Sequence, residues 1–427
     1  MRAGAATFEI KFTNDLFPLE GFASIHDLPH TRILLLENET RVALVSIELV
    51  MLPDALIERC KDMIEKKTAT PREAIWIHVT HAITTCHEPG GPQIGLGGRI
   101  IEQSEQASRK ELEKKELYDS AILESIYNAS EAAFASMREA CLSVGSGISD
   151  LIQNRDIETP QGWWIGKNSK GPSNKEMTVV LAKDLENEPI GCFISYAMKP
   201  CTIDNSWMSL GKRQMSSDAP GLACSLIERE LGVPALYFMG AGADQVPAEV
   251  AWYDEYDKEK KQIITIDKGV EEGLRMVQRI GSKMAEDIKH ILDEAMENQT
   301  EQPIVISTAG FLWKTKKRVP MKPQTKVRYE ADGEAEIPVS LIRMGNLAIV
   351  ATKPEMNYLT EKQLKEALGM EHVLLITMVN GGMKYLPDLK SYQQFRWEAL
   401  TSMFMPGAAE QMVQCAKDLS NRIKENC

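Results

Sequence analysis

Three of the chain's seven histidines fall within ten residues. Ile77-His78-Val79-Thr80-His81 reads as the end of a buried strand, and Cys86-His87-Glu88-Pro89-Gly90-Gly91-Pro92 as the loop that follows it. Imidazole serves as a metal ligand or as an acid–base group near neutral pH. A single His at a strand end serves packing as readily as chemistry. Clustering at a Gly/Pro loop favours a site. Strand alternation turns His78 to the face opposite Val79, so His78 and His81 need not converge.

Three more strand ends carry chemistry-bearing residues. Ser195-Tyr196-Ala197-Met198-Lys199-Pro200-Cys201-Thr202 puts a lysine at the end of an apolar run. Burial there lowers the pKa of Lys199 and makes it a base or nucleophile, whereas a snorkelling lysine at a sheet edge does neither. The edge reading is the simpler one. Tyr237-Phe238-Met239-Gly240-Ala241-Gly242-Ala243-Asp244 follows a strand with small residues that let backbone approach a ligand, which nominates Gly242 and Asp244 for substrate contact. Its spacing is not that of a dinucleotide fingerprint. Ala351-Thr352-Lys353-Pro354-Glu355 ends a fourth strand in a carboxylate that suits a ligand or a base, although exposed Glu is common. Asn154, Arg155, Lys167 and the pair Trp163-Trp164 lie in a Gly- and Trp-containing stretch, 145–171, read as a loop. Arg155 could hold a substrate carboxylate through a bidentate pair, and the tryptophans could simply pack.

The elements that position these residues alternate. Arg32–Leu36 and Val42–Val50 form a hairpin around the turn Glu37-Asn38-Glu39. A helix from Asp54 to about Lys67 places Leu56, Ile57, Cys60 and Ile64 on one face. A strand over 74–79, a loop over 81–98 and a polar helix from about Glu102 to Ala140 follow. Strands are expected over 177–182, 190–197, 235–239, 304–313, 337–342, 347–351 and 373–378. Helices are expected over 219–231, 269–298 and 408–424. The pattern predicts one interleaved α/β body, residues 1–427, with mixed sheets flanked by helices and sites at strand ends.

Composition sets the class of partner. The chain has 427 residues, 43% hydrophobic and 26% charged, with a net charge of -12. Such a chain can bury a core. Its acidity argues against nucleic acid or an anionic membrane as partner and favours solubility; a small-molecule substrate is the expected partner. No apolar window reaches the length of a membrane span, and the N-terminus lacks a secretory pattern. Eight cysteines without a C-x-x-C pair predict reduced thiols and a cytoplasmic location. Cys427 looks incidental. The Met-rich segment 403–412 could serve an interface, and the oligomeric state cannot be read.

Taken in order, these segments resemble the N-terminal, catalytic domain of the neutral/alkaline non-lysosomal ceramidases. Ala3-Gly4-Ala5-Ala6-Thr7-Phe8-Glu9-Ile10 is similar to that family's opening, Ile25-His26-Asp27-Leu28-Pro29 to its I-H-D-P-L step, and Asn154-Arg155 to its N-R pair. Ser217-Asp218-Ala219-Pro220-Gly221 and Gly240 to Pro247 resemble two of its turns. The resemblance covers most of the chain and implies a ceramidase-like fold without the family's further C-terminal β domain. It also implies a zinc-bound water attacking an amide carbonyl. His81 and Glu355 match two zinc ligands, and Tyr385 stands in the stretch that supplies a ligand tyrosine. Lys199 replaces the second ligand histidine, Ile83 replaces a further histidine, and Val246 stands where a serine follows the Gly-rich loop.

An ammonium has no lone pair for a metal. Zinc on His81 and Glu355 would therefore need His87, His78 or a neutral Lys199 to complete the set. Three functions follow as expectations. The first is a hydrolase of an amide or related C–N bond in a small soluble substrate, with an altered zinc site. The second is a metal-free racemase, epimerase or lyase using Lys199 as base or nucleophile, with His81, Glu355 or Tyr385 as partner. The third is a non-catalytic, ligand-binding descendant.

Overall fold

A computed structural model describes residues 1–90, 93–95, 99–101, 108–204, 213–297 and 303–426. Cys427, the last part of the 81–98 loop and the expected helix start at Glu102 lie outside them or at their margin. Three sheets carry the architecture. The first runs Ile75–Val79, Thr40–Ile47, His30–Asn38, Arg2–Glu9 and Arg138–Glu139 from edge to edge. The second runs Ala235–Met239, Pro189–Tyr196, Glu176–Lys183, Cys141–Ile148 and Met296–Glu297. The third runs Val305–Lys316, Ala331–Met344, Leu347–Thr352 and His372–Ile376.

Each sheet is antiparallel except at one edge, where the last strand pairs in parallel: 75–79 on 40–47, 235–239 on 189–196, and 372–376 on 347–352. A parallel pair needs a crossover. Here helices Asp54–Thr68, Asp218–Leu231 and Tyr358–Leu368 supply the three. The sequence shows why. Each helix follows a run of β-branched and leucine residues and buries one apolar stripe, as Leu56, Ile57, Cys60 and Ile64 do in the first. Ala69, Gly232 and Gly369 then end the helices in left-handed backbone. Three βαβ units thus deliver their strand carboxyl ends, and the loops after them, to the middle of the molecule.

The sheets share a core. Leu34 and Leu44 of the first, Val180 and Phe193 of the second, and Ile349 and Leu374 of the third belong to one buried cluster. His78 pins the junction. Its Nδ1 lies 2.7 Å from the Thr377 carbonyl, and its Nε2 accepts from the Met239 N–H at 3.1 Å. One ring therefore ties a strand of each sheet to the others. It is fully buried, and burial pushes it down to about 3, so it is neutral. Both His78 ring nitrogens are spent on backbone partners, so His78 is a packing residue.

The stretch 145–171 is not a loop. It holds the end of strand Cys141–Ile148, then strands Ile152–Thr159 and Gly162–Asn168, which pair as a hairpin. Its glycines suggested irregular chain, but the Ile and Trp between them are strand formers. The Met-rich segment also turns inward: Phe404, Ala408, Ala409 and Met412 are buried against the third sheet and the 358–368 helix. Sequence reading also omitted the hairpin Trp252–Asp257/Gln262–Asp267 and the helix Tyr358–Leu368.

Between the first two sheets lies a fully buried arginine. Arg32 donates to Glu48 and, at 2.8 Å, to Glu228. Glu48 also accepts from the Ser217 hydroxyl at 2.9 Å and is held down to about 2, chiefly by Arg32 against the opposing effect of burial. Removing one partner from such a set strands the other charge. Arg32→Met should therefore lower the unfolding free energy by about 3–5 kcal/mol, measured by urea denaturation at pH 7. A loss under about 1 kcal/mol would show that the carboxylates find other partners.

Candidate active site

The parallel strand ends bring His81, Lys199, Glu355 and Tyr385 together. His81 follows strand Ile75–Val79 and holds left-handed backbone, φ 58°, a conformation that non-glycine residues adopt at a cost. Lys199 stands three residues past strand Pro189–Tyr196. The Tyr237 hydroxyl fixes the backbone before it, 2.5 Å from the Met198 carbonyl and accepting the Met198 N–H at 3.2 Å. Glu355 and Tyr385 sit opposite each other on two short parallel strands, and the Glu355 N–H donates to the Lys384 carbonyl at 2.7 Å.

Glu355 is the hub. One carboxylate oxygen lies 2.6 Å from His81 Nδ1 and the other 2.7 Å from Lys199 Nζ. Lys199 and Glu355 are buried, while 18% of the His81 side chain reaches solvent. Lys199 also donates to the Tyr385 hydroxyl at 3.5 Å and stands 5.1 Å from that ring's centre. Lysine at the strand end is therefore interior and not a snorkelling edge residue. Nor is it a free base. Burial acts against its charge, yet the Glu355 carboxylate and Tyr385 outweigh burial and hold the ammonium above its ordinary value. Glu355 answers in kind: His81 and Lys199 overcome the upward effect of burial and keep it ionised. Burial, more than the nearby carboxylate can offset, keeps His81 below its ordinary value and so neutral at pH 7.

His87 stands apart from this hub. Its backbone N–H donates to Glu20 at 2.8 Å, and its ring Nδ1 lies 3.1 Å from the same oxygen. These positions test the zinc expectation. One Glu355 oxygen faces the Lys199 ammonium and the other the His81 ring, His87 is tied to Glu20, and Lys199 presents protons where a ligand would present a lone pair. Among the described residues no three His, Cys, Asp or Glu side chains gather as a ligand set. The residues present do not fit a zinc ion.

The expected substrate contacts form a second buried layer. Asn154 and Arg155 lie on strand Ile152–Thr159. Arg155 spends its fork on Glu398, at 2.9 and 2.5 Å, and stands 5.5 Å from the centre of the Tyr385 ring. Asn154 donates to the Pro172 carbonyl at 3.1 Å and to Asp244 at 3.4 Å. Gly242 is small for internal reasons, because a Cβ there would meet the Met239 sulfur at 2.8 Å. Trp164 donates to Asp254 at 2.7 Å and packs edge-on against Trp397, Trp163 lies under Arg396, and Lys167 lies over the Tyr253 ring. Glu398, Arg396, Asp156 and Glu20 had no signal in the sequence, since their partners lie 240 or so residues away or across a loop.

Several segments that resembled the ceramidases meet in space. Asp27 accepts the Ser217 N–H at 2.7 Å, and the Arg155 N–H donates to the Asp244 carbonyl at 2.9 Å. The arrangement defines a fold class: mixed sheets flanked by helices, with the site at parallel strand ends. Solved structures of that class are similar over the whole chain. A neutral ceramidase from Pseudomonas aeruginosa superposes with a TM-score of 0.73 at 14% identity, covering 100% of this chain and 74% of that one. A structure described as ceramidase complexed with C2 gives 0.72 at 14% identity, covering 100% and 75%. No family model matches the chain, and no curated protein does. The likeness establishes the ceramidase fold.

Asp244 makes the second layer sensitive to pH. Burial, with Glu398 and Asp388 adding to it, lifts its carboxyl from 3.8 to about 7 against the bonds from Gln245 and Tyr358. The folded chain then holds this proton more tightly than the unfolded chain. Stability from this group is complete below pH 3.8 and is lost as pH rises to about 7. Asp244→Asn should remove that slope. The wild-type minus variant difference in urea midpoint should fall steadily from pH 4 to 7 and then level off. A difference constant with pH would refute the assignment.

Proposed function

We propose that this chain hydrolyses an amide or related C–N bond of a small soluble substrate, using the Lys199 ammonium as the built-in cation of the site. The observation that carries the reading is the buried Lys199–Glu355–His81 constellation at the convergent strand ends, on the fold of an amide-cleaving enzyme. Glu355 beside Nδ1 favours the tautomer that leaves His81 Nε2 with its lone pair. That nitrogen takes a proton from water as the water oxygen bonds to the carbonyl carbon. The developing oxyanion is stabilised by the Lys199 ammonium and the Tyr385 hydroxyl. Collapse breaks the C–N bond, and the His81 imidazolium returns the proton to the leaving nitrogen. Glu355 orients His81 and offsets both charges without itself taking a proton.

The racemase reading requires the Lys199 lone pair, which the ion pair with Glu355 withholds. A binding role without chemistry would leave the Lys199–Glu355–His81 set as a ligand contact alone. Both rank below the hydrolase.

The deciding measurement is amidase turnover on a panel of N-acyl amines, with elemental analysis of the same protein. Turnover should survive chelator. Lys199→Met and His81→Gln should each cut kcat by about 10²–10³. Lys199→Met should also be destabilised by about 3–5 kcal/mol, because it strands Glu355, so His81→Gln is the cleaner test. Stoichiometric zinc with chelator-sensitive activity, or wild-type activity in Lys199→Met, would overturn the mechanism.

A further inference from the structure

Between helix Tyr358–Leu368 and the end of the second sheet lies a cleft of about 190 Å³, lined by Asn174, Glu176, Tyr358, Glu361, Lys362 and Lys365. A smaller space of about 10 Å³ adjoins it, sharing Asn174, Glu176, Glu361 and Lys365 and reaching Ser195, Ala197 and Gly240. His81, Lys199 and Glu355 line neither space.

Glu361 borders both spaces. It lies on the buried side of its helix, with 6% of its side chain exposed. Its Oε2 accepts from the Asn174 amide at 2.8 Å. Its Oε1 has Lys365 Nζ at 3.7 Å, beyond hydrogen-bond length, and among the described residues makes no hydrogen bond. Lys365 is drawn the other way, donating to Glu176 at 2.5 Å, which offsets its charge. A Cβ on Gly240 would lie 3.8 Å from Oε1, so Oε1 faces a wall that carries no side chain there. Burial holds the Glu361 carboxyl above its ordinary value in spite of Lys365 and Asn174.

A plainer account makes Lys365 a bridge between Glu176 and Glu361 and fills the inner space with a water. It leaves a buried carboxylate oxygen without a charged donor in hydrogen-bond reach, and a much larger cleft open beside it. Three glutamates and two lysines line that cleft, which favours a cation over an anion. A metal ion fits poorly, because the Asn174 amide protons occupy Oε2 and the Lys365 ammonium stands near Oε1. The inner space admits one water-sized group. A primary ammonium has that size, and a methylated one exceeds it.

We infer that this cleft binds a small primary amine, with its ammonium in the inner space donating to Glu361 Oε1 and its alkyl part in the outer cleft against Tyr358. The site is separate from the Lys199–Glu355–His81 constellation and does not depend on the reaction performed there.

Titration calorimetry at pH 8 and low salt, with butylammonium, butyltrimethylammonium and butanol, tests this. Butylammonium should bind once per chain with a Kd of about 1 mM or tighter. The other two should bind at least about tenfold more weakly. Glu361→Gln keeps the shape of the side chain and should weaken butylammonium at least about tenfold. Gly240→Ala is the second variant and decides the matter if Glu361→Gln does not fold. Its methyl group meets nothing closer than 3.5 Å, so the fold should survive, as circular dichroism would check. The methyl fills the inner space, and butylammonium binding should fall at least about tenfold. No binding of butylammonium overturns the inference, and so does equal binding of butyltrimethylammonium. Binding unchanged in Gly240→Ala would place the amine on a carboxylate elsewhere and overturn it too.

Discussion

The pairing of Lys199 with Glu355 is the constraint on which the rest of the site turns. Burying one ion costs several kcal/mol even after relaxation, so neither residue could hold its place alone. Together, with His81 against the second carboxylate oxygen and Tyr385 beside the ammonium, they form a buried ion pair with polar neighbours on both sides. The pair also fixes protonation. It keeps Lys199 charged and Glu355 ionised, while burial keeps His81 neutral. An ammonium and a neutral imidazole then flank the same carboxylate at neutral pH.

The fold serves that pair through three βαβ units. Each supplies a strand whose carboxyl end is aimed at the same point, and the residues that matter fall a few positions past the last paired residue. His78 and Tyr237 are the internal supports. One holds a strand of each sheet in register, and the other fixes the backbone that presents Lys199. Behind Tyr385, Arg155 and Glu398 extend the charged interior without opening to solvent.

Much of this was legible in the sequence where the signal is local. The hairpin 32–50, the 54–67 helix and most strands carry periodicity that depends only on near neighbours. The strand ends at His81, Lys199 and Glu355 stood out because polar residues followed apolar runs. Burial was not legible. Lys199 reads as a snorkelling residue until its partner, 156 residues later in the chain, is known, and desolvation alone predicted the wrong direction for its pKa. The pairing of Arg155 with Glu398 was not legible because Glu398 lies in an unremarkable helix 243 residues away. The 145–171 stretch was misread because its glycines, which there admit close packing of neighbouring chain, look like turn signals.

Placing the site's cation on a side chain alters its supply. A bound ion has an occupancy, set by its concentration and by competing chelators. The Lys199 charge is translated with the chain and is present once in every folded copy. Its reach is fixed by a four-carbon stem, so it cannot gain or lose a ligand as an ion does. In the proposed mechanism that charge depends on whether the strand end Tyr196–Lys199 is correctly folded.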